Sequence, residues 1–383
     1  DPATIHVRAS QFATSSFGTL RGMTKRWLND TDGTLASRLV TGIGSIVSTN
    51  PASAIYEMSQ IVMADPALIA LFEQEPDDQR LLSKITGPLH KSLQDFLDRF
   101  GHRGFREAEF RYPCWREQPA SVLGLVRRQM ESRSPGPAEI AKRQADVSNA
   151  AREEALGRLS GMRRKAFIPV LESARKHIAA REEMKDLLLQ FLCLTRRVIA
   201  ISQRRLDGLL ETPDDIYFLL GSEVAKALQG NLSAADIRPI VQRRQRDFEW
   251  SSLIFVPKIQ DGVAKRLDQP PAEQSSGVLS GIPVSPGRVE GRARVVLDPS
   301  DAVFYSGEIL IAPVTDVAWT PLFLRAAAVV VEVGGPLSHG SIVAREFGIP
   351  AVTAVAHATT RIHTGAWIQV DGNRGAITLV KDK

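Results

Sequence analysis

Residues 334–352 (Gly-Gly-Pro-Leu-Ser-His-Gly-Ser-Ile-Val-Ala-Arg-Glu-Phe-Gly-Ile-Pro-Ala-Val) constrain the fold of this chain more than any other stretch. The pair Gly334-Gly335 allows a tight turn with unusual backbone angles. Ser338 follows as a helix N-cap whose hydroxyl can accept a free N–H of the first turn. Ile342, Val343 and Phe347 recur at helical spacing, Gly348 suits a C-cap, and Pro350 blocks continuation. The pattern predicts a short helix with His339 at its mouth. First-turn N–H groups make a helix start a ready phosphate site. An imidazole held there can take a phosphoryl group on nitrogen and pass it on. On generic grounds alone, a lone histidine beside a glycine turn also reads as a plain loop residue.

Two textures flank a Pro, Ser and Gly segment, Asp268–Gly277, which marks a linker. Before it, long periodic segments predict helices near 34–48, 51–62, 66–73, 78–99, 119–132, 137–158, 163–180, 182–208, 221–228 and 233–248. Asn50-Pro51 and Asp65-Pro66 read as helix starts. The stripe Met184, Leu187, Leu188, Phe191, Leu192, Thr195, Val198 and Ile199 reads as a core helix. Asp214–Leu220 reads as a short extended piece. After the linker, Val289–Leu297, Ile309–Ala312, Ala328–Val331, Ala351–Val352, Trp367–Val370 and Ile377–Leu379 predict strands, alternating with helices at 318–326 and 339–347. His339 then lies on the loop after a strand, where ligand sites in such sheets collect. The expected fold class is α followed by α/β: a mainly helical domain over 1–267, a linker over 268–279, and a small β/β/α domain over 280–383.

A net charge of +5 with pI near 9.3 is mildly basic, but acidic residues are interspersed throughout, so no nucleic-acid partner is expected. No apolar run approaches the roughly 20 residues that span a bilayer. The opening Asp1-Pro-Ala-Thr carries no secretory pattern. The two cysteines, Cys114 and Cys193, lack metal-ligand spacing and read as free thiols in a reducing compartment, which makes a cytoplasmic location the expectation. Of the seven histidines, His90, His177, His357 and His363 have no sequence partners and read as surface residues. No P-loop string and no Ser-His-Asp order is present.

Two further constellations carry charge. Gly101-His-Arg-Gly-Phe-Arg-Glu-Ala-Glu109 precedes Tyr112-Pro-Cys-Trp-Arg-Glu-Gln-Pro119, so His102, Arg103, Glu107 and Glu109 can converge on an acceptor. Arg181 and Lys185 lie four apart on one helix face. Two cations there repel unless an anion sits between them, which a phosphoryl group would supply. The plain alternative is a solvated face balanced by Glu182 and Asp186.

The 334–352 string resembles the signature of the phosphohistidine, or swivelling, domain of phosphoenolpyruvate-utilising enzymes, with Gly340 where alanine is usual. The resemblance extends through Gly281–Gly287, Gly291–Val296, Gly307–Pro313, Thr315–Pro321 and Val370–Gly375. The Gly101–Glu109 string, the Tyr112–Pro119 string that follows it with Cys114 in place of an arginine, and Arg181-Glu-Glu-Met-Lys-Asp186 resemble the helical acceptor domain of rifampin-phosphotransferase-like proteins. Membership implies a dikinase-type relay. ATP and Mg2+, held by an ATP-grasp domain, phosphorylate His339 with release of AMP and phosphate, and His339 swings on the linker to a small-molecule hydroxyl. An antibiotic-type acceptor is one expectation. In that relay Arg181 and Lys185 offset charge on the transferring group. His102, Arg103, Glu107, Ser338 and Gly335 bind substrate or phosphate, and His102 or Glu107 takes the acceptor's proton. Nothing in 1–265 reads as ATP-grasp strands, so that domain is expected in cis on a longer chain or in trans. Alternatives are a phosphohistidine carrier in a protein relay and transient phosphorylation that drives an elimination.

Overall fold

The amino-terminal half is helical because its apolar residues recur every three or four positions. The computed structural model describes residues 2–44, 47, 49–131, 135–253, 278–299 and 302–380. In chain order the helices are α1 Pro2–Leu28, α2 Thr34–Leu39, α3 Asn50–Met63, α4 Pro66–Gln74, α5 Asp78–Lys84, α6 Gly87–Phe100, α7 Ala120–Met130, α8 Pro137–Arg158, α9 Gly161–Arg205, α10 Gly221–Leu228, α11 Ala234–Leu253, α12 Thr320–Phe323, α13 His339–Phe347 and α14 Ala358–Arg361. The strands are β1 Val278–Ser280, β2 Ile282–Ser285, β3 Arg288–Val295, β4 Ile309–Ala312, β5 Ala328–Val331, β6 Ala351–Thr353, β7 Trp367–Asp371 and β8 Ala376–Leu379. No single helix among the described residues is long and apolar enough to cross a membrane.

By contacts the chain forms two compact units. One comprises residues 1–108, 112–191 and 278–383, the other residues 109–111 and 192–277. This division does not follow the expected partition at 267, and linker residues 268–277 lie outside the described residues. In the first unit, α1, α2, α8 and α9 share a core through Phe17, Leu20, Leu39, Phe167 and Ile178, which Leu337 and Ile342 of the β-rich part join. Helices α3 to α7 share a second core, joined by Val317 and Ala318. The β-rich part is one eight-stranded sheet in the order β1-β8-β7-β3-β4-β5-β6-β2. Strands β3 to β6 run parallel in the middle, with antiparallel pairs outside. Every residue of β4 and β5 is buried, as expected for parallel strands covered on both faces. The second unit has its own small core, Leu206, Ile216, Ala227, Ile237 and Val241.

Several expectations change. Helix 34–48 stops at Leu39, because Gly42 and Gly44 take positive φ (55° and 106°). At Gly42 an added Cβ would also run into the backbone of Gln144 and Ala145. Helix 78–99 is two helices, broken where Gly87 adopts φ 62° ahead of Pro88. The expected helices 163–180 and 182–208 are one, since Ala179, Ala180 and Arg181 are strong helix formers with no breaker. Along the expected stripe that helix is not a core helix. Leu187, Phe191 and Val198 are exposed, and between 182 and 199 the buried positions are Glu182, Leu189 and Cys193. Asp214–Leu220 is not extended; Pro213–Phe218 form a 3-10 turn, which Asp215 caps by accepting from Thr212. Helix 318–326 shortens to a 3-10 turn at Val317–Trp319 followed by α12. Helix α1 and strand β1 were not foreseen, whereas β2 falls within the Gly281–Gly287 segment that the family resemblance gives as the first of an opening strand pair. Of the remaining histidines, His90 and His363 are exposed and His177 and His357 half-buried. Both cysteines are buried, and no disulfide joins them.

Candidate active site around His339

Helix α13 begins where the sequence pattern places it, with Ser338 at the N-cap and His339 first in the helix. Its C-cap Gly348 takes φ 67°, the left-handed conformation that glycine accepts without strain. Two local readings change. Ser338 makes no side-chain cap hydrogen bond; its hydroxyl meets that of Ser341 at 3.0 Å, and Ser341 donates to the Gly335 carbonyl at 2.7 Å. Neither Gly334 nor Gly335 has positive φ. Gly334 is small for room instead, since a Cβ there would collide with Thr353 Oγ1 and Ser338 Oγ. Gly340 likewise leaves space for Thr315 Oγ1, so the usual alanine would require the Thr315 hydroxyl to turn away.

Arg345 and Glu346 fix the loop and its neighbours. Arg345 Nη1 donates to the carbonyls of Pro336 (2.6 Å) and Val284 (3.3 Å), and burial lowers its pKa to about 10. Thr41 Oγ1 donates to the Arg345 carbonyl at 2.8 Å. The Glu346 carboxyl is pushed up to about 7 by burial, against the charges of Arg345 and Arg175 and the N–H groups of Ile43 and Gly42. Arg175 holds that 39–42 segment through the carbonyls of Leu39, Thr41 and Gly42.

On the helical side the Gly101–Gly104 turn is pinned by Trp115 N–H to the Arg103 carbonyl (2.7 Å) and Arg116 N–H to that of Gly101 (2.8 Å). Arg103 is fully buried and forks onto Glu107, Nε to Oε2 at 2.7 Å and Nη2 to Oε1 at 3.2 Å. Its Nη1 donates to Asp186 Oδ1 at 3.1 Å, the oxygen that also lies 2.9 Å from His102 Nε2. Asp186 Oδ2 accepts from Gln190 at 2.9 Å. Lys185 Nζ sits 2.7 Å from Glu107 Oε1, and Arg181 pairs with the buried Glu182. Three cations, Arg103, Arg181 and Lys185, thus meet three carboxylates, Glu107, Glu182 and Asp186. The structure brings together His102, Arg103, Glu107, Arg181 and Lys185. Glu109 belongs to the other unit, where it is exposed.

His339 belongs to the same cluster. Its ring is buried and neither nitrogen has a hydrogen-bond partner. Burial holds its pKa well below 6.5; Lys185, Arg103 and Arg181 add to that, and Glu107 opposes it. The imidazole is therefore neutral, with a lone pair available. Glu107 would be raised by burial, but the charges of Arg103 and Lys185 win and hold it well below the usual carboxylate range. That makes Glu107 a poor proton acceptor.

Two residues had no assigned role. Asp316 Oδ2 accepts the Arg106 N–H at 2.7 Å and Oδ1 that of Ala318 at 3.0 Å, so one carboxylate ties the β-rich part to the helical part. Arg106 has φ 50°, uncommon for a non-glycine residue. Burial and then Glu107 push Asp316 up to about 7, against both N–H groups and Lys185. Only the Asp-x-Ala capping pattern at 316–318 hinted at it. His6 of α1 is lowered by burial, Arg181 and Lys185, and its Nδ1 has no partner. Nothing in the sequence near His6 signalled this. Among the described residues no group of three or more His, Cys, Asp or Glu is placed to hold a metal ion.

Comparison with known proteins places most of this site in two matched segments. Residues 5–182 match the family described as the rifampicin phosphotransferase fourth domain, and residues 304–375 match the PEP-utilising enzyme mobile domain. A rifampicin phosphotransferase of Streptomyces sviceus is 30% identical over 379 residues, 92% of this chain and 43% of that protein. One from Bacillus subtilis is 25% identical, over 92% of this chain and 42% of that protein. The prodigiosin synthesizing transferase PigC of Serratia marcescens is 28% identical, over 93% and 41%. The chain spans about two-fifths of the length of these relatives. It carries a fourth domain of the rifampicin phosphotransferase type and a mobile domain, and so belongs to the rifampicin-phosphotransferase-like group of PEP-utilising enzymes.

Proposed function

We propose that this chain carries a phosphoryl group on His339 and delivers it to a hydroxyl of a small molecule bound against the helical cluster. The observation that carries the reading is a buried, neutral histidine with both ring nitrogens unpaired, facing Lys185, Arg103 and Arg181. The source is ATP, held with Mg2+ by an ATP-grasp domain in cis or in trans, in a dikinase-type step that leaves AMP and phosphate. The residues around His339 do not fit the metal ion, because Glu107 and Asp186 are engaged by Arg103, Lys185 and His102. No step here is routed through it.

In loading, a ring nitrogen of His339 attacks phosphorus and the bond to the leaving oxygen breaks. The β-rich part then returns to the docked arrangement. The phosphoryl charge draws Lys185 away from Glu107 and Arg181 away from Glu182, since three carboxylates already match the three cations. The acceptor hydroxyl attacks phosphorus, the N–P bond breaks, and the hydroxyl proton passes to Asp316. With its pKa near 7, Asp316 is a better acceptor for that proton than Glu107. The ring nitrogen regains its lone pair.

The test supplies Mg-ATP and an ATP-grasp domain of the family in trans and follows intact mass. The expected result is one acid-labile phosphoryl group, absent in His339→Ala. Turnover retained in that variant overturns the relay. A second reading is that the phosphorylated acceptor goes on to lose phosphate in an elimination; it rests on one relative being named a synthesizing transferase rather than a phosphotransferase. Phosphate released in step with a dephosphorylated, altered product distinguishes it from a stable phosphate ester.

A further inference from the structure

The second unit contains a cavity of about 750 Å³, within the size range of small-molecule sites. Its walls are Val198 and Ile199 of α9, Leu220, and Val224 and Leu228 of α10, with Phe218 and Phe248 at one end. Val198, Leu220 and Phe248 are 62%, 58% and 51% exposed, so these large apolar side chains line open space rather than fill a core. Phe218 and Phe248 meet edge to face with centroids 6.1 Å apart. The Arg111 guanidinium lies over both rings, 5.6 and 5.7 Å from their centroids.

The two arginines of this site differ. Arg244 is spent: it forks onto Glu223 at 2.5 and 2.9 Å and donates to the Phe218 carbonyl at 2.8 Å. Arg111 has no carboxylate within ion-pair distance among the described residues; its contacts are the two rings and, from its N–H, Glu109 Oε1 at 3.3 Å. An arginine stacked on an aromatic face keeps its outward N–H groups free for an anion. An apolar chamber with an edge-to-face aromatic pair and one free guanidinium fits a flat ligand of two or more fused rings with a single acidic group.

We infer that this cavity is a binding site for fused-ring aromatic acids. The inference is independent of the phosphoryl relay, because binding is read without His339 chemistry. The probes are 8-anilinonaphthalene-1-sulfonate, which carries the acid, and N-phenyl-1-naphthylamine, which does not, each titrated into the full chain by fluorescence. Sulfonate binding is expected at one site per chain. Arg111→Gln weakens the sulfonate roughly 3- to 10-fold and leaves the neutral probe within about 2-fold, as a single exposed charge allows. Ala225→Trp, at an exposed position of α10 on the cavity wall, removes both probes while circular dichroism stays unchanged. Equal effects of Arg111→Gln on both probes, or binding that survives Ala225→Trp, overturns the inference. So does concentration-dependent dimerisation abolished by Ala225→Trp, which would make a second copy of the chain the occupant.

Discussion

The two sides of the His339 site differ in how their polar groups are satisfied. On the helical side nearly every charge has a partner: Arg103 makes three hydrogen bonds, and Glu107 and Asp186 are each shared between two positive or ring donors. On the facing loop, both nitrogens of His339 are bare although the ring is buried. Burying a polar atom without a partner costs on the order of 1–3 kcal/mol. The loop tolerates that cost because Arg345, Ser341 and the α13 core fix it independently of the ring. One side is a finished electrostatic frame, and the other presents an unsatisfied nucleophile to it.

Removing part of the frame should have the largest effect. Arg103→Ala leaves Glu107 and Asp186 with uncompensated charge in a buried place. Loss of one partner from a buried ion network costs roughly 3–5 kcal/mol. A large drop in melting temperature is expected, measured by calorimetry. By contrast, Ser338→Ala on the loop removes only the contact to Ser341 and should cost within about 1 kcal/mol. Similar losses in the two variants would break the comparison.

Lys185→Ala sharpens it in the chemical step. Lys185 is the charge that acts most strongly on His339 and is paired with Glu107 at the edge of the network, 20% exposed, so the fold should survive its removal. Loss of a preorganised positive donor costs transfer about 10²- to 10³-fold. Loading of His339 should be unchanged, because it takes place away from the frame. Single-turnover kinetics with preloaded protein separate the two. A variant that loads slowly but transfers normally would place Lys185 in the other half of the relay.

How much of this was legible depends on distance along the chain. The α13 segment reads out from local chemistry, since Gly348 and Pro350 act within one helical turn. The helix α1 does not, because its buried positions are sparse and partly small or polar: Ala13, Phe17, Leu20, Thr24 and Leu28. Arg181 and Lys185 were visible as a pair, and so was Glu182, which pairs with Arg181; the partner of Lys185 was not. Lys185 turns to Glu107, more than seventy residues away in sequence, rather than to the neighbouring Asp186. Asp316 is invisible as an acid–base candidate, since its raised pKa comes from burial and from Glu107, both products of packing. The positive φ expected of Gly334 was wrong because steric room and backbone angle leave the same glycine in a sequence.

Asp316 gives a pH prediction for the transfer step. If it takes the acceptor's proton, transfer rises as pH climbs through about 7 and levels off above it. Asp316→Asn should lose that rise along with most of the rate. A wild-type profile that stays flat from pH 6 to 8.5 would remove Asp316 from the proton step. A rise that persists in Asp316→Asn would assign it to another group, with His102 the next to test.

The smallest effect concerns Glu346, on the far end of α13 from His339. Its folded pKa of about 7 stands above the ordinary 4.5, so the folded state binds the proton more tightly than the unfolded chain. The stability this carries is complete below about 4.5 and is lost as pH rises through about 7. A displacement of that size corresponds to an upper bound of about 3 kcal/mol. Glu346→Gln cannot titrate. It also offers only one acceptor oxygen to the N–H groups of Gly42 and Ile43, so part of the benefit of removing the charge is given back. The net difference from wild type at pH 8 should therefore be within about 1 kcal/mol. The sign is the informative part: the variant should melt below the wild type at pH 5 and match or exceed it at pH 8.5. Differential scanning fluorimetry across that range reads the crossing. Parallel curves would mean that the Glu346 carboxyl keeps its charge when docked, with Arg345 and Arg175 outweighing its burial.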